Sequence, residues 1–224
     1  MIDRTVFLSV AAAYDRWSAL YDAYDNPMVA AASHIVGTSL GDVSGQDVIE
    51  FGCGTGRNLS ALKALGARSV TGCDLSAGML AEARKRDCTF HLLHADMGQT
   101  LPLPDGSADL ALFCLSLEHV ADLITPFREA RRLLRPGGRL TMIEIHPFLT
   151  LSGISAHFQD SGEEVRMPTV AHEFSSYVVS FATAGLRLTG CREWRPRDLG
   201  TAAPPKAFKR GPDLPLIVQM WASP

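Results

Sequence analysis

The sequence predicts a doubly wound α/β fold, with helices on both faces of a mostly parallel sheet. Between residues 44 and 145, short β-rich runs alternate with runs at helical spacing, and the connections are short. Strand–helix alternation of this kind gives parallel strands joined by right-handed crossovers. The run Asp109–Leu115 is apolar after its first residue, as expected of a strand covered on both faces.

Length and composition favour one domain with an elaboration. The chain has 224 residues, of which 46% are hydrophobic and 20% charged, enough apolar surface for an ordered core. A net charge of −3 argues against a protein that binds nucleic acid without regard to its sequence. The longest stretch without a charged residue, 26–41, contains Pro, His and Gly, so no transmembrane helix is expected.

The cysteines indicate a reducing, cytoplasmic location. There are five, an odd number, without a Cys-x-x-Cys pair, and three of them fall in apolar runs. The apolar run 6–13 lacks a basic leader and continues into a helical pattern, so we expect no secretion signal.

The first three strands and two helices follow from local patterns. The first strand, Asp47–Phe51, ends at a glycine cluster, and a helix over 58–65 is stopped by Gly66. Residues 69–73 predict the second strand, and Ser76 is the expected N-cap of a helix to Arg86. Residues 90–94 predict the third strand.

The remaining core elements complete the sheet. After the fourth strand, apolar residues at helical spacing from Val120 to Leu134 predict a helix that stops at the Arg-Pro-Gly-Gly turn 135–138. Arg139–Ile145 predicts the fifth strand. Residues 186–194 and 214–221 predict two more strands around a proline-rich, cationic loop, 195–213.

The flanks of this core differ from it in pattern. We divide the single domain 1–224 into a helical lid (1–40), a cofactor-binding core (44–145), a substrate-binding insert (146–182) and closing strands (183–224). The lid assignment depends on aromatic residues at helical spacing between Tyr14 and Tyr24.

A glycine-rich loop marks the candidate ligand site. Glu50-Phe-Gly52-Cys-Gly54-Thr-Gly56 follows a strand and opens a helix, where the backbone can approach a ligand. The third glycine of a dinucleotide motif would fall at position 57, which is Arg, and the Gly-Lys-Ser/Thr ending of a phosphate loop is missing.

Two further acids follow neighbouring strands. Asp74 closes the second strand, where a carboxylate can accept both hydroxyls of a ribose. Asp96 closes the third strand, where it can accept from an adenine amine while Met97 packs against the ring.

Four motifs in order carry a family resemblance. Glu50-x-Gly-x-Gly-x-Gly, Asp74-Leu-Ser-x-x-Met79-Leu, Ala95-Asp96 and Leu134-Arg-Pro-Gly-Gly-x-Leu140 together resemble the class I S-adenosylmethionine-dependent methyltransferases. The resemblance covers residues 14–145 and is loose beyond them. Tyr14-Asp-x-Trp-x-x-x-Tyr21-Asp22 also looks like the lid helix of small-molecule members.

The resemblance implies a Rossmann-like methyltransferase fold, with seven strands of which the last in sequence is antiparallel. It also implies S-adenosylmethionine as cofactor and S-adenosylhomocysteine as product. Glu50 stands where the family more often has Asp. The implied cofactor-binding residues are Tyr14, Tyr21, Glu50, Gly52, Gly54, Gly56, Asp74, Met79, Asp96, Met97 and Leu115.

Three histidines near strand ends or in the insert are candidate catalytic residues. A histidine suits a general base when the acceptor must lose a proton. His119 ranks first, because its position resembles a histidine that several small-molecule members use as a base. His146 and His172 fit either substrate hydrogen bonding or a structural role. The histidines and acids do not fall at a metal-ligand spacing, so no metal is expected.

Aromatic residues of the lid and insert predict the acceptor class. An apolar, aromatic lining suits a flat aromatic or heteroaromatic molecule, such as an indole, a phenol or an aromatic amino acid. We therefore expect methyl transfer to C, O or N of such an acceptor in natural-product type metabolism. The candidate walls are Trp17, Phe148, Phe158, Phe174, Tyr177 and Trp194.

Several alternatives stay open at this point. Arginine-rich stretches would fit an RNA or protein methyltransferase, although neither Asn-Pro-Pro-Tyr nor Asp-Pro-Pro-Tyr occurs. A catalytically silent cofactor-binding subunit would show the same motifs. A nicotinamide dehydrogenase is disfavoured by Arg57. We expect a small-molecule partner, no nucleic acid and no membrane, and both a monomer and a homodimer are compatible with the sequence.

Overall fold

The computed structural model describes residues 4–224, and a seven-stranded sheet forms its centre. In spatial order the strands are β4, β3, β2, β5, β6, β10 and β9. Their bounds are β2 Asp47–Phe51, β3 Ser69–Asp74, β4 His91–His94, β5 Ala108–Cys114, β6 Leu134–Ile145, β9 Arg187–Trp194 and β10 Ile217–Ser223.

Strand direction confirms the expected topology. β2 pairs in parallel with β3 on one side and with β5 on the other. β10 is antiparallel to both of its neighbours, with Ile217 opposite Ile145 and Trp194. The predicted doubly wound sheet with an antiparallel last strand is therefore present.

Two apolar layers cover the sheet. Neighbouring residues of a strand point to opposite faces, so Val48 packs against α2 and α3 whereas Ile49 packs with α5 and α7. On the second face Phe51 stacks on Phe113 with ring centroids 4.6 Å apart. The helices are α1 Val10–Tyr21, α2 Pro27–Ser39, α3 Arg57–Ala64, α4 Ala77–Arg86, α5 Ile124–Leu133, α6 Pro147–Leu151 and α7 Phe174–Thr183.

The helix that follows β3 begins where its N-cap was expected. The Ser76 hydroxyl accepts a hydrogen bond from the backbone N–H of Met79 at 3.0 Å. The predicted turn at 135–138 differs, because these residues already belong to β6, which begins at Leu134. The predicted loop 195–213 contains two short 3₁₀ segments, Pro196–Ala202 and Pro205–Arg210.

A second, three-stranded sheet was not predicted. Its strands are β1 Arg4–Phe7, β7 His157–Asp160 and β8 Glu163–Arg166, with β8 in the middle. The first strand pairs in parallel with β8, so part of the 1–40 segment is extended rather than helical. The insert 146–182 supplies the β7–β8 hairpin, and short strands paired over a long sequence separation leave little local pattern.

Arg16 of α1 links this helix to the three-stranded sheet. Arg16 donates from Nε to Asp160 Oδ2 at 2.6 Å and from Nη2 to Glu163 Oε2 at 3.0 Å. These contacts fix α1 to the β7–β8 hairpin. Among residues 4–224, no helix is both long enough and apolar enough to cross a membrane.

Candidate active site

A cleft of about 230 Å³ lies at the carboxyl edge of the parallel strands. Ligands of open α/β sheets bind at this edge, beyond the strand ends. The predicted cofactor residues that line the cleft are Tyr14, Tyr21, Glu50, Gly52, Gly54, Asp74, Met79, Asp96, Met97 and Leu115, with His119 beside them. Residues separated by more than a hundred positions in sequence therefore meet in one place.

The three loop glycines have positive φ and different surroundings. Gly52 (φ 75°) lies against the segment that follows β5, because an added Cβ would stand 2.6 Å from Ser116 Cβ. At Gly54 (φ 53°) an added Cβ would meet nothing within 4 Å, so this glycine borders the open cleft. Gly56 caps α3 and packs against Phe90, and it is not part of the cleft wall.

Glu50 is a buried acid with one oxygen unsatisfied. Its Oε1 accepts from Asn58 Nδ2 at 2.7 Å, whereas Oε2 has no hydrogen-bond partner in the described chain. Burial raises the pKa of Glu50 to about 8, and the Asn58 contact offsets only part of that rise. A buried carboxylate oxygen without a donor favours a cationic or hydrogen-donating ligand.

Asp74 holds the glycine loop and still presents acceptor capacity to the cleft. Its Oδ2 accepts from Gly54 N and its Oδ1 from Ser76 N, both at 2.8 Å. Desolvation raises the pKa of Asp74 despite these two contacts. A carboxylate has about four lone-pair sites, so both oxygens remain able to accept from hydroxyl groups.

The first helix closes over the cleft through two acids that the sequence analysis did not assign. Asp22 accepts from Thr55 Oγ1 at 2.9 Å and from Arg57 Nη2 at 2.6 Å. Asp15 accepts from Ser76 Oγ at 2.6 Å. Both acids belong to the lid motif quoted above, and Arg57 was noted only as the residue that breaks a dinucleotide motif.

His119 is held in one tautomer by its partners. The ring Nδ1 lies 2.8 Å from the carbonyl oxygen of Pro168, which can only accept, so Nδ1 carries the proton. In the neutral ring Nε2 then accepts from the Tyr14 hydroxyl at 2.9 Å. Burial raises the pKa of Tyr14 well above its ordinary value, which keeps this hydroxyl protonated. The Nε2 lone pair of His119 therefore points at the Tyr14 hydroxyl, and this is the lone pair that a general base would use.

The other two candidate histidines have structural positions. His146 caps α6, accepting from Phe148 N at 3.2 Å, and its Nε2 lies 3.1 Å from Glu193 Oε1. Burial lowers the pKa of His146. His172 Nε2 lies 2.9 Å from the carbonyl oxygen of Val120. Neither ring lines the cleft, whereas His119 does, and a catalytic role for any of the three histidines stays a prediction.

A second cavity, of about 450 Å³, adjoins the cleft. The two share four wall residues, Tyr14, Tyr21, Val29 and Leu115. Leu115 has a left-handed backbone (φ 53°), which is strained for a leucine and turns the chain at the junction. Sequence patterns do not reveal such a conformation at a residue other than glycine.

Of the predicted acceptor walls, Trp17 lines the second cavity and stacks on Phe158 at 4.6 Å. The other five border neither cavity: Phe158 is buried against Trp17, Phe148 is 54% exposed, and Phe174, Tyr177 and Trp194 pack elsewhere. Trp194 belongs to the core and donates to Gln219 Oε1 at 2.9 Å. The presence of aromatic residues in the sequence could not distinguish those that line a cavity from those that pack in the core.

The residues that line the cleft fit S-adenosylmethionine. Glu50 has a free oxygen for the cationic amino group, Gly54 leaves space beside the backbone, and Asp74 retains acceptors for the ribose. Asp96 and Met97 line the same cleft, as an adenine site requires. The fold and the cleft agree with those that the resemblance to the class I S-adenosylmethionine-dependent methyltransferases implies. Among residues 4–224, no group of His, Cys, Asp and Glu side chains is arranged to hold a metal ion.

Comparison with known proteins finds methyltransferases. Residues 49–142 match the family described as "Methyltransferase domain". A crystal structure of an S-adenosylmethionine-dependent methyltransferase from Mesorhizobium loti is similar, with a TM-score of 0.70 and 25% identity. That likeness covers 87% of this chain and 99% of the other.

Two curated relatives are similar over part of their length. A demethylmenaquinone methyltransferase from Tropheryma whipplei is 36% identical over 154 residues, covering 64% of this chain and 59% of the relative. A malonyl-[acyl-carrier protein] O-methyltransferase from Serratia marcescens is 36% identical over 134 residues, covering 58% and 50%. The match thus spans about half to three fifths of the length of these relatives.

Proposed function

We propose that this chain transfers a methyl group from S-adenosylmethionine to a small acceptor, and that His119 accepts the acceptor's proton through Tyr14. The observation that carries this proposal is the hydrogen bond of 2.9 Å between Tyr14 and His119, at the wall shared by the two cavities.

The route of the proton follows from which cavity each residue lines. Tyr14 borders both cavities, whereas His119 borders only the cleft. A hydroxyl, or an activated carbon acid, in the second cavity would pass its proton to Tyr14 as Tyr14 passes its own to His119. A histidine suits this role because its ordinary pKa lies near neutrality.

Cofactor residues and acceptor residues have separate tasks in this proposal. The bound cofactor supplies an electrophilic methyl group. Glu50 would hold its amino group, Asp74 its ribose and Asp96 its adenine amine. The cavity walls align the acceptor, and alignment is the main requirement of an in-line displacement, worth up to about 7–11 kcal/mol.

An aromatic or heteroaromatic acceptor is supported by the lining of the second cavity. Its walls include Tyr14, Trp17, Tyr21 and Tyr24. Flat rings pack well on such surfaces. The names of the two curated relatives refer to demethylmenaquinone and to a malonyl-[acyl-carrier protein], and both belong in the acceptor screen.

We also propose a reducing, cytoplasmic location. All five cysteines are unpaired, and Cys53, Cys73 and Cys114 are buried. Burial raises the pKa of each of these three thiols, which makes them inert.

The proposed base is tested by His119→Ala. We expect turnover to fall by about 10²–10⁴ while affinity for S-adenosylhomocysteine is kept. Methyl transfer is measured as product formation with a panel of phenols, indoles, aromatic amino acids and quinols. Tyr14→Phe should lower turnover similarly, and the exposed His91→Ala is the matched control. A loss below tenfold in His119→Ala would assign this histidine to packing.

A further inference from the structure

The wall of the second cavity combines an apolar body with a cationic rim. Ile145, Leu149, Ile154 and Leu216 line it together with the aromatic residues already described. The 3₁₀ segment Pro205–Arg210 adds three cations to the same wall: Lys206, Lys209 and Arg210.

Only one of these cations is neutralised by the protein. Lys206 Nζ lies 2.8 Å from Asp25 Oδ2. Lys209 and Arg210 form no ion pair with any residue from 4 to 224, and both are exposed. Two unpaired cations therefore lie at the rim of an apolar cavity, where an anionic group of a bound molecule can reach them.

The acids facing the cavity do not cancel this charge. Asp25 is already paired with Lys206. Glu118 has a side chain 11% exposed, with Oε2 lacking any partner in the described chain. Desolvation raises the pKa of Glu118 toward the neutral acid, although nearby His119 opposes part of that rise. His157 and the tyrosines complete the titratable groups of the wall.

We propose that the second cavity binds an amphipathic anion, whose apolar body fills the cavity and whose carboxylate or phosphate is contacted by Lys209 and Arg210. This inference rests on the proposed function, since it names the acceptor class of the same site. Glu118 offers its unpartnered oxygen to a hydroxyl or N–H of that molecule. A neutral analogue of the same shape would leave both cations without a partner and would bind more weakly.

The experiment compares two fluorescent probes that differ in charge. 8-Anilinonaphthalene-1-sulfonate carries an anionic group, and N-phenyl-1-naphthylamine is its neutral counterpart. Each is titrated into the full chain, with and without saturating S-adenosylhomocysteine to block the cleft. We expect the anionic probe to bind at one site, and Lys209→Ala/Arg210→Ala to weaken it about tenfold while the neutral probe is unaffected.

Controls separate this site from general charge effects. Arg84→Ala/Arg128→Ala removes the same charge from exposed positions outside both cavities and should leave the anionic probe's affinity unchanged. Competition with octanoate, octyl phosphate and octanol then distinguishes a carboxylate from a phosphate, with octanol as the neutral reference.

Three outcomes overturn the proposal. It fails if the anionic probe does not bind, if the double variant binds it as tightly as the wild type, or if the neutral probe binds equally well and also depends on Lys209 and Arg210. Binding of S-adenosylhomocysteine is measured separately by calorimetry. Loss of that binding, with probe binding retained, would contradict the proposed function and leave the anion site standing.

Discussion

Lowering the pH from 8 to 6 is expected to weaken binding of S-adenosylhomocysteine through the protonation of Glu50. Burial raises the pKa of this carboxyl to about 8, and its Oε2 has no donor in the described chain. The amino group of the ligand is cationic throughout this range and favours ionised Glu50. Binding should therefore release a proton, and affinity should rise with pH until Glu50 is ionised in the free protein.

The size of the effect follows from that pKa. The ionised fraction of Glu50 is about one half at pH 8 and about one hundredth at pH 6, so affinity should fall about fiftyfold. This is about 2 kcal/mol of binding free energy. A carboxyl with an ordinary pKa would stay ionised over the whole range and would give almost no change.

Isothermal titration calorimetry in buffers of different ionisation enthalpy measures both quantities. At pH 7 we expect release of about one proton per ligand bound. Glu50→Gln should bind more weakly and lose the pH dependence. Glu144→Gln is the matched control, because burial also raises the pKa of Glu144 to about 8, yet Glu144 accepts from Ser116 N and lies outside the cleft wall.

Two results would refute this reasoning. One is affinity that does not change between pH 6 and 8 in the wild type. The other is a pH dependence that persists in Glu50→Gln and disappears in Glu144→Gln. Asp74 borders the same cleft and has a raised pKa, but its proposed partners are uncharged hydroxyls, so its contribution should be smaller.

Three further predictions concern the cleft and its frame. Asp74→Ala should weaken S-adenosylhomocysteine binding by about 1.5–3 kcal/mol, measured by calorimetry, and unchanged affinity would remove Asp74 from the site. Asp22→Asn should weaken the contact with Arg57 and accelerate ligand dissociation several-fold in stopped-flow fluorescence; an unchanged rate would show that this ion pair does not hold the lid. His172→Leu should lower the free energy of unfolding in urea by about 1–3 kcal/mol, because the carbonyl of Val120 loses its donor, and an equally stable variant would contradict that role.

The core of the fold was predictable because its signals are local. Most strands of the central sheet are short β-rich runs, and the helices between them show apolar spacing or an N-cap such as Ser76. The second sheet was missed for the opposite reason. Arg4–Phe7 and Glu163–Arg166 are four-residue strands that pair across more than 150 positions, which no local pattern records.

Motif spacing predicted which residues line the cleft, whereas it did not predict the walls of the second cavity. Acids at successive strand ends must converge, so Glu50, Asp74 and Asp96 were placed together by topology alone. The second cavity depends on how the insert folds back against α1 and the segment 205–210. Its cations, Lys209 and Arg210, come from a segment that the sequence indicated only as a loop.

The attachment of α1 at two points has a consequence for the timing of turnover. Asp22 ties this helix to the glycine loop, and Arg16 ties it to the β7–β8 hairpin. Tyr14, on the same helix, borders both cavities. One displacement of α1 would therefore admit or release both ligands. Exchange of the spent cofactor and exchange of the methylated product should then share a single opening step, which sets the steady-state rate wherever opening is slower than methyl transfer.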